Sequence, residues 1–194
     1  MRFYKDKKVV VTGGSGFVGT NFILELLDRG ARVTTHTHIR PMEIEDDRIN
    51  IVENIDLFKL DDCMKLVDGA DYVIHCGGYI TNPSEVRTNV QVLLHNINST
   101  GNVLEASAKC GIKGYLDINS STGYPDRRYP VTEDEYWDEE PHEAYFGYGW
   151  MRRYREKLME FVSSFSDLTC HSCINKQSFE WRRPIRSLGN FRCC

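Results

Sequence analysis

Tyr148 and Arg152, four positions apart in the stretch GYGWMRR, share one face of any helix formed there, so both could act on one ligand. A phenol with an ordinary pKa of about 10 exchanges protons poorly near neutrality, and a fixed cation beside it favours the charged form. Upstream, TGGSGFVG over 12–19 contains Gly14-x-Gly16-x-x-Gly19 and also Gly13-x-x-Gly16-x-x-Gly19. Between a strand and a helix, such a turn lets the backbone approach a pyrophosphate, whose charge then rests on the helix N-terminus. Gly13, Gly14, Ser15, Gly16, Phe17, Val18 and Gly19 are therefore expected around a dinucleotide, with Gly19 allowing the helix to pack closely on the sheet. The competing readings are a tight turn that binds nothing and an ordinary amphipathic surface helix.

The elements needed to position these residues are legible. Lys8–Thr12 is a short β-branched run entering the glycines, as a buried parallel strand would. Phe17 to Arg29 has helical spacing of Phe22, Ile23, Leu26 and Leu27, with Gly30 where a helix C-cap would sit. Further strands are expected at 31–37, 49–52, 71–76 and 114–119, with helices at 56–67, about 86–109 and 148–165. Strands alternating with helices imply βαβ units. The fold class expected is α/β, a doubly wound parallel sheet of the Rossmann kind, in one domain over 1–171.

The 194 residues are 41% apolar, enough for one globular core. No apolar run approaches the ~20 residues of a membrane span, and MRFYKDKK does not resemble a signal peptide, so a cytoplasmic location is expected. Seven scattered cysteines suit reduced thiols better than a disulfide framework. The net charge of −4 divides unevenly: residues 1–171 hold 19 basic and 27 acidic residues, while 172–194 hold five Lys or Arg and one Glu. An acidic body without a basic stripe argues against nucleic acid as a partner.

At the end of the second strand a NAD-preferring domain would place an acid for the ribose hydroxyls. That position is Thr37; no acid appears before Glu43, and Arg40 stands nearby with His36 and His38. Arginine there accommodates a 2′-phosphate, so NADP is expected in preference to NAD, against the alternative that Arg40 is a solvated loop residue. Two histidines without a third ligand make a poor metal site, and no metal is expected.

Together TGGSGFVG, HCGG at 75–78, INSSTGYP at 118–125, the stretch 98–106 and Tyr148 with its basic partner resemble the extended short-chain dehydrogenases/reductases. The likeness is greatest to their nucleotide-sugar epimerase and reductase branch, the branch of GDP-fucose synthase and UDP-glucose 4-epimerase. The resemblance covers about 7–170. It implies that Ser120, four residues before Tyr124, polarises the substrate oxygen, with Thr122 as a second acid/base group. It implies Tyr148 as general acid/base and a lysine four residues on, where this chain has Arg152, which keeps the charge but alters ribose geometry. It further implies an adenine-edge contact at Asp56 with Leu57 following, and close approach to the cofactor at Gly77. Without the resemblance, Ser120, Ser121 and Thr122 would read as turn hydrogen bonds.

The family pattern ends near Cys170, and 172–194 is expected to be an atypical tail, out of frame or from a truncated gene, with the C-terminal substrate domain missing. Five strands are then expected, one edge uncovered. The resemblance implies an NAD(P)-dependent nucleotide-sugar epimerase or reductase, a nucleotide-sugar substrate and no membrane partner, and a homodimer is admitted. The alternatives are a non-catalytic dinucleotide-binding module and a truncated inactive remnant.

Overall fold

In the computed structural model, residues 3–37, 41–79 and 88–175 are described. Six parallel strands form one sheet in the order β3-β2-β1-β4-β5-β6. In chain order the elements are β1 Lys8–Thr12, α1 Phe17–Asp28, β2 Arg32–His36, β3 Ile49–Val52, α2 Leu60–Val67, β4 Tyr72–His75, α3 Val90–Lys109, β5 Gly114–Ser120, α4 Phe146–Ser163 and β6 Thr169–Asn175. This is the doubly wound α/β fold that the alternating pattern implies. Strand order reverses between β1 and β4, which pair from Val9↔Tyr72 to Thr12↔His75. At that switch point the chain leaves the paired strand ends for opposite faces of the sheet, α1 on one and α3 on the other, which is where open α/β sheets form their ligand crevice.

Alternation along the strands builds two cores. Val9, Val11, Val33 and Ile74 face α1, where Ile23, Leu26 and Leu27 meet them. Val10, Val73 and Tyr115 face the opposite side, against Cys63, Leu66, Val103, Leu104 and Met159 from α2, α3 and α4. Each fully buried aliphatic side chain contributes about 1.5–3 kcal/mol, so these two layers fix the register that aims the strand ends. On β5 the period-two rule puts Asp117 and Asn119 on the same face as Tyr115, and both polar side chains are buried.

The expectation of five strands is corrected. Thr169–Asn175 pairs with β5 from Gly114↔Thr169 through Ser120↔Asn175, so β5 is interior to the sheet. TCHSCIN lacks an apolar alternation because backbone bonds to β5 hold it, Cys170 packs on the α2–α4 core and Ser172 hydrogen-bonds to α4. The strand runs four residues into the segment assigned to the tail; residues 176–194 lie outside the described residues, as does Arg40.

Candidate active site

At the switch point the backbone itself is the construction material. Gly13 has φ +67°, and a Cβ there would stand 2.9 Å from the Cα and N of Gly77. Gly16 N–H closes the turn on the Gly13 carbonyl at 3.0 Å, and a Cβ on Gly19 would collide with that same carbonyl. A side chain at Gly13 or Gly19 would drive apart backbone segments that the loop brings together. α1 has Gly16 as its N-cap residue, with no side-chain cap and no acid in its first turn, leaving its positive end unneutralised. Ser15 and Val18 are half-buried beside the loop, and Phe17 is 61% exposed, so its ring does not belong to the core. His36, at the end of β2, brings Nε2 to 3.5 Å from Gly13 N.

The opposite wall is tied down by a buried histidine. His75 Nδ1 lies 2.7 Å from the Thr12 hydroxyl, which accepts from Gly77 N–H at 3.0 Å, and His75 Nε2 lies 3.1 Å from Thr100 Oγ1. Complete burial holds the imidazole well below its usual pKa, so it is neutral and serves as a hydrogen-bonding link. Leu57 abuts this wall: its Cδ1 lies 3.3 Å from where a Gly77 Cβ would be, and its carbonyl accepts from Asn102 Nδ2 at 3.0 Å. Asp56 is engaged locally. Its carboxylate accepts from Phe58 N–H at 3.0 Å and pairs with Lys59 at 3.7 Å.

Beyond β5, Ser120 caps a short 3-10 turn over 121–123. Its Oγ accepts from Thr122 N–H and from the Thr122 hydroxyl, both at 3.4 Å. Helix α4 is seated directly on this turn. A Cβ at Gly149 would lie 2.6 Å from the Thr122 carbonyl, and Arg153 Nε donates to the Gly123 carbonyl at 2.8 Å. The Arg153 guanidinium is ringed by Tyr136, Trp137 and Trp150 at 5.2–5.4 Å from their ring centres, which fastens the acidic loop over 133–143 to the same helix.

Tyr148 lies in the first turns of α4, its ring packed with Val92 and Met151. Its hydroxyl donates to the Tyr79 carbonyl at 3.4 Å. Asn96 fixes that carbonyl from α3: its Nδ2 donates to Tyr79 O at 2.9 Å and to Val92 O at 2.7 Å, and its Oδ1 accepts from Tyr79 N–H at 3.2 Å. Burial raises the Tyr148 pKa, and the Arg152 charge acts against that rise. The Arg152 guanidinium carbon sits 5.9 Å from the Tyr148 ring centre. Burial, and then the charge of Arg155, bring the Arg152 pKa down to about 10. Its buried Nε has no hydrogen-bond partner among the described residues.

The structure thus joins Tyr148 with Arg152, seats their helix on the turn that Ser120 and Thr122 make, and joins Gly13, Gly77 and Leu57. The Asp56 carboxylate stays partly exposed beside Leu57 while making its local contacts. Sequence reasoning missed Asn96, Asn119 and the buried Asp117–Arg155 ion pair. The available signal was two polar residues at alternate, core-facing positions of β5.

Residues 9–171 match the family model described as the NAD dependent epimerase/dehydratase family. GDP-mannose 3,5-epimerase 1 of Oryza sativa subsp. japonica is 24% identical over 145 residues, 71% of this chain and 38% of that protein. A 3 beta-hydroxysteroid dehydrogenase/Delta 5-->4-isomerase of Mycobacterium tuberculosis is 28% identical over 123 residues, 59% of this chain and 32% of that protein. The solved structure of MoeE5 in complex with UDP-glucuronic acid and NAD superposes with a TM-score of 0.72 at 21% identity, covering 85% of this chain and 53% of that one. The chain therefore spans about a third to two fifths of these curated relatives' length and about half of that structure's.

Proposed function

The chain belongs to the NAD dependent epimerase/dehydratase family, and from that membership we propose that it is the cofactor-binding, proton-handling part of an NAD(P)-dependent nucleotide-sugar epimerase or reductase. One observation carries the reading: the helix bearing Tyr148 and Arg152 docks through Gly149 on the turn that follows Ser120, at the carboxyl end of the strands that hold the glycine crevice. The residues present fit a dinucleotide. Gly13, Gly14, Gly16 and Gly19 would take the pyrophosphate, Gly77 and Leu57 would line the crevice, and Arg152 would meet the nicotinamide ribose. When bound, the nicotinamide supplies hydride exchange with a sugar carbon. Ser120 would orient the sugar oxygen, Tyr148 would hold or release its proton, and Thr122 would hold the Ser120 hydroxyl or share its task. The nucleotide-sugar class is supported by the GDP-mannose epimerase likeness and by the UDP-glucuronic acid held in the neighbour of the same fold.

NADP in preference to NAD is supported by Arg40 and by the lack of an acid at Thr37. The test adds NAD and NADP separately and follows thermal stability, since a ligand bound only by the native state raises the melting temperature. Turnover is then measured with GDP- and UDP-sugars, a hydroxysteroid serving as the competing substrate, in wild type and Tyr148→Phe. Turnover of a nucleotide sugar that falls several orders of magnitude in Tyr148→Phe supports the reading. Preference for NAD removes the NADP part of it, and turnover of the steroid alone removes the sugar part. A second reading, a dinucleotide-binding module without catalysis, is favoured by Arg152 standing where the family resemblance implies lysine. It takes over if either dinucleotide stabilises the protein and no substrate is turned over.

A further inference from the structure

We infer that Asn119, anchored on Glu156 of α4, is a positioning residue that fixes Ser120 against the helix carrying Tyr148 and Arg152. The inference rests on the proposed function and adds a residue to it. Asn119 immediately precedes Ser120 on β5 and is 2% exposed on the core-facing side. A primary amide buried among apolar neighbours is costly unless its donors and acceptor are used. Here they are. Nδ2 donates to the Arg152 carbonyl at 3.2 Å and to Glu156 Oε1 at 2.9 Å, and Oδ1 accepts from the Ser120 amide at 2.9 Å.

These partners leave the amide one orientation. Turned over, its oxygen would face two acceptors, Arg152 O and Glu156 Oε1, while its nitrogen would face the Ser120 N–H donor. The side chain therefore spans the gap between the strand end and the helix, in contact with the backbone of both Ser120 and Arg152. The same Glu156 Oε1 also accepts from Ser172 Oγ on β6 at 2.9 Å. Burial raises the Glu156 pKa, and its two donors, Ser172 and Asn119, lower it, which fits a carboxyl group inside the fold held by hydrogen bonds. Among the contacts that join β5 and its turn to α4, with Arg153 on the Gly123 carbonyl and Arg155 on Asp117, this amide is the one that bonds the Ser120 backbone itself.

The test exchanges donor and acceptor. Asn119→Asp keeps an oxygen for the Ser120 amide but sets a second one against Glu156 and the Arg152 carbonyl. Adding Glu156→Gln supplies an amide that donates back to that oxygen. Hydrogen exchange is followed by mass spectrometry over 120–123 and 150–156, alongside kcat and cofactor affinity. In Asn119→Asp we expect exchange to quicken about ten- to a hundredfold, the range set by an unpaired buried polar group. We expect kcat to fall at least about tenfold with cofactor affinity within twofold, and the double variant to regain most of both losses. Unchanged exchange overturns the inference. So does quickened exchange with full kcat, because Asn119 is then only a staple of the fold. If wild type turns over no substrate, the proposed function fails by itself, and exchange still decides whether Asn119 joins Ser120 to the helix.

Discussion

Arg152→Met should make this protein more stable and less able to do chemistry. The guanidinium falls from its ordinary 12.5 to about 10, first because it is buried and then because Arg155 carries a like charge beside it. At neutral pH both folded and unfolded states hold the proton, so the full cost of burying the charge is present; it is relieved only as pH rises from about 10 towards 12.5. Converted at 1.36 kcal/mol per tenfold change in proton affinity, the cost is about 3 kcal/mol. Methionine occupies similar space and carries no charge. It forfeits the contact with the Tyr148 ring, which contributes about 0.5–2 kcal/mol. The net expectation is a gain of about 1–3 kcal/mol, read as a higher urea midpoint at pH 7 with an unchanged slope. For a chain of this length that equals a rise of roughly 2–10 °C in melting temperature. Loss of more than about 1 kcal/mol would refute the reasoning, because it would mean that the guanidinium is a satisfied structural group. On the proposed function, the buried cation beside the phenol is stability given up for activity.

Three further outcomes follow from the same geometry. Gly13→Ala should lose at least about 1 kcal/mol from the left-handed φ alone, and the 2.9 Å approach to Gly77 should weaken dinucleotide binding at least about tenfold in a calorimetric titration; equal affinity would place the phosphates elsewhere. Glu156→Gln should flatten the pH dependence of stability above the ordinary carboxyl value of 4.5. The raised folded-state pKa means that the Glu156 contribution is present below that value and lost as pH rises through the folded one, so parallel urea midpoints for both proteins from pH 4 to 8 would count against a buried carboxyl. Asp117→Leu alone should cost about 3–5 kcal/mol by stranding Arg155, whereas Asp117→Leu with Arg155→Met should recover most of that loss, and a double variant as unstable as the single one would show that the pair holds more than itself.

Much of the fold was legible because the dominant signals were local. Val9, Val10 and Val11 announce a strand buried on both faces, and the spacing of Ile23, Leu26 and Leu27 announces the helix that covers one of them. Strand β6 was hidden for the opposite reason. It is an edge strand whose pairing to β5 is made by backbone bonds, which leave no trace in side-chain pattern, and its Cys170 and Ser172 contacts depend on α4 being in place. The glycine crevice was readable as spacing, since only glycine tolerates the Gly13 turn. That Gly77 is the surface it leans on depends on strand order, which no local window contains.

Helix α4 shows where reading by residue class fails. Arg152, Arg153 and Arg155 suggest a solvated face, yet Arg153 and Arg155 are buried and Arg152 is half-buried. Each is taken in by different physics. Arg153 lays its cation among three aromatic rings and spends Nε on the Gly123 carbonyl. Arg155 meets Asp117, buried as completely as itself. Arg152 leans on the Tyr148 ring with its Nε unspent among the described residues, as are Nη2 of Arg153 and Nε and Nη1 of Arg155. The charges of Arg153 and Arg155 thus meet an aromatic cage and a carboxylate, whereas that of Arg152 is set beside the Tyr148 phenol. Since burying an unpaired polar group carries a cost, the proposed function gives the Arg152 Nε an acceptor in the ligand, on the helix face that Arg152 shares with Tyr148.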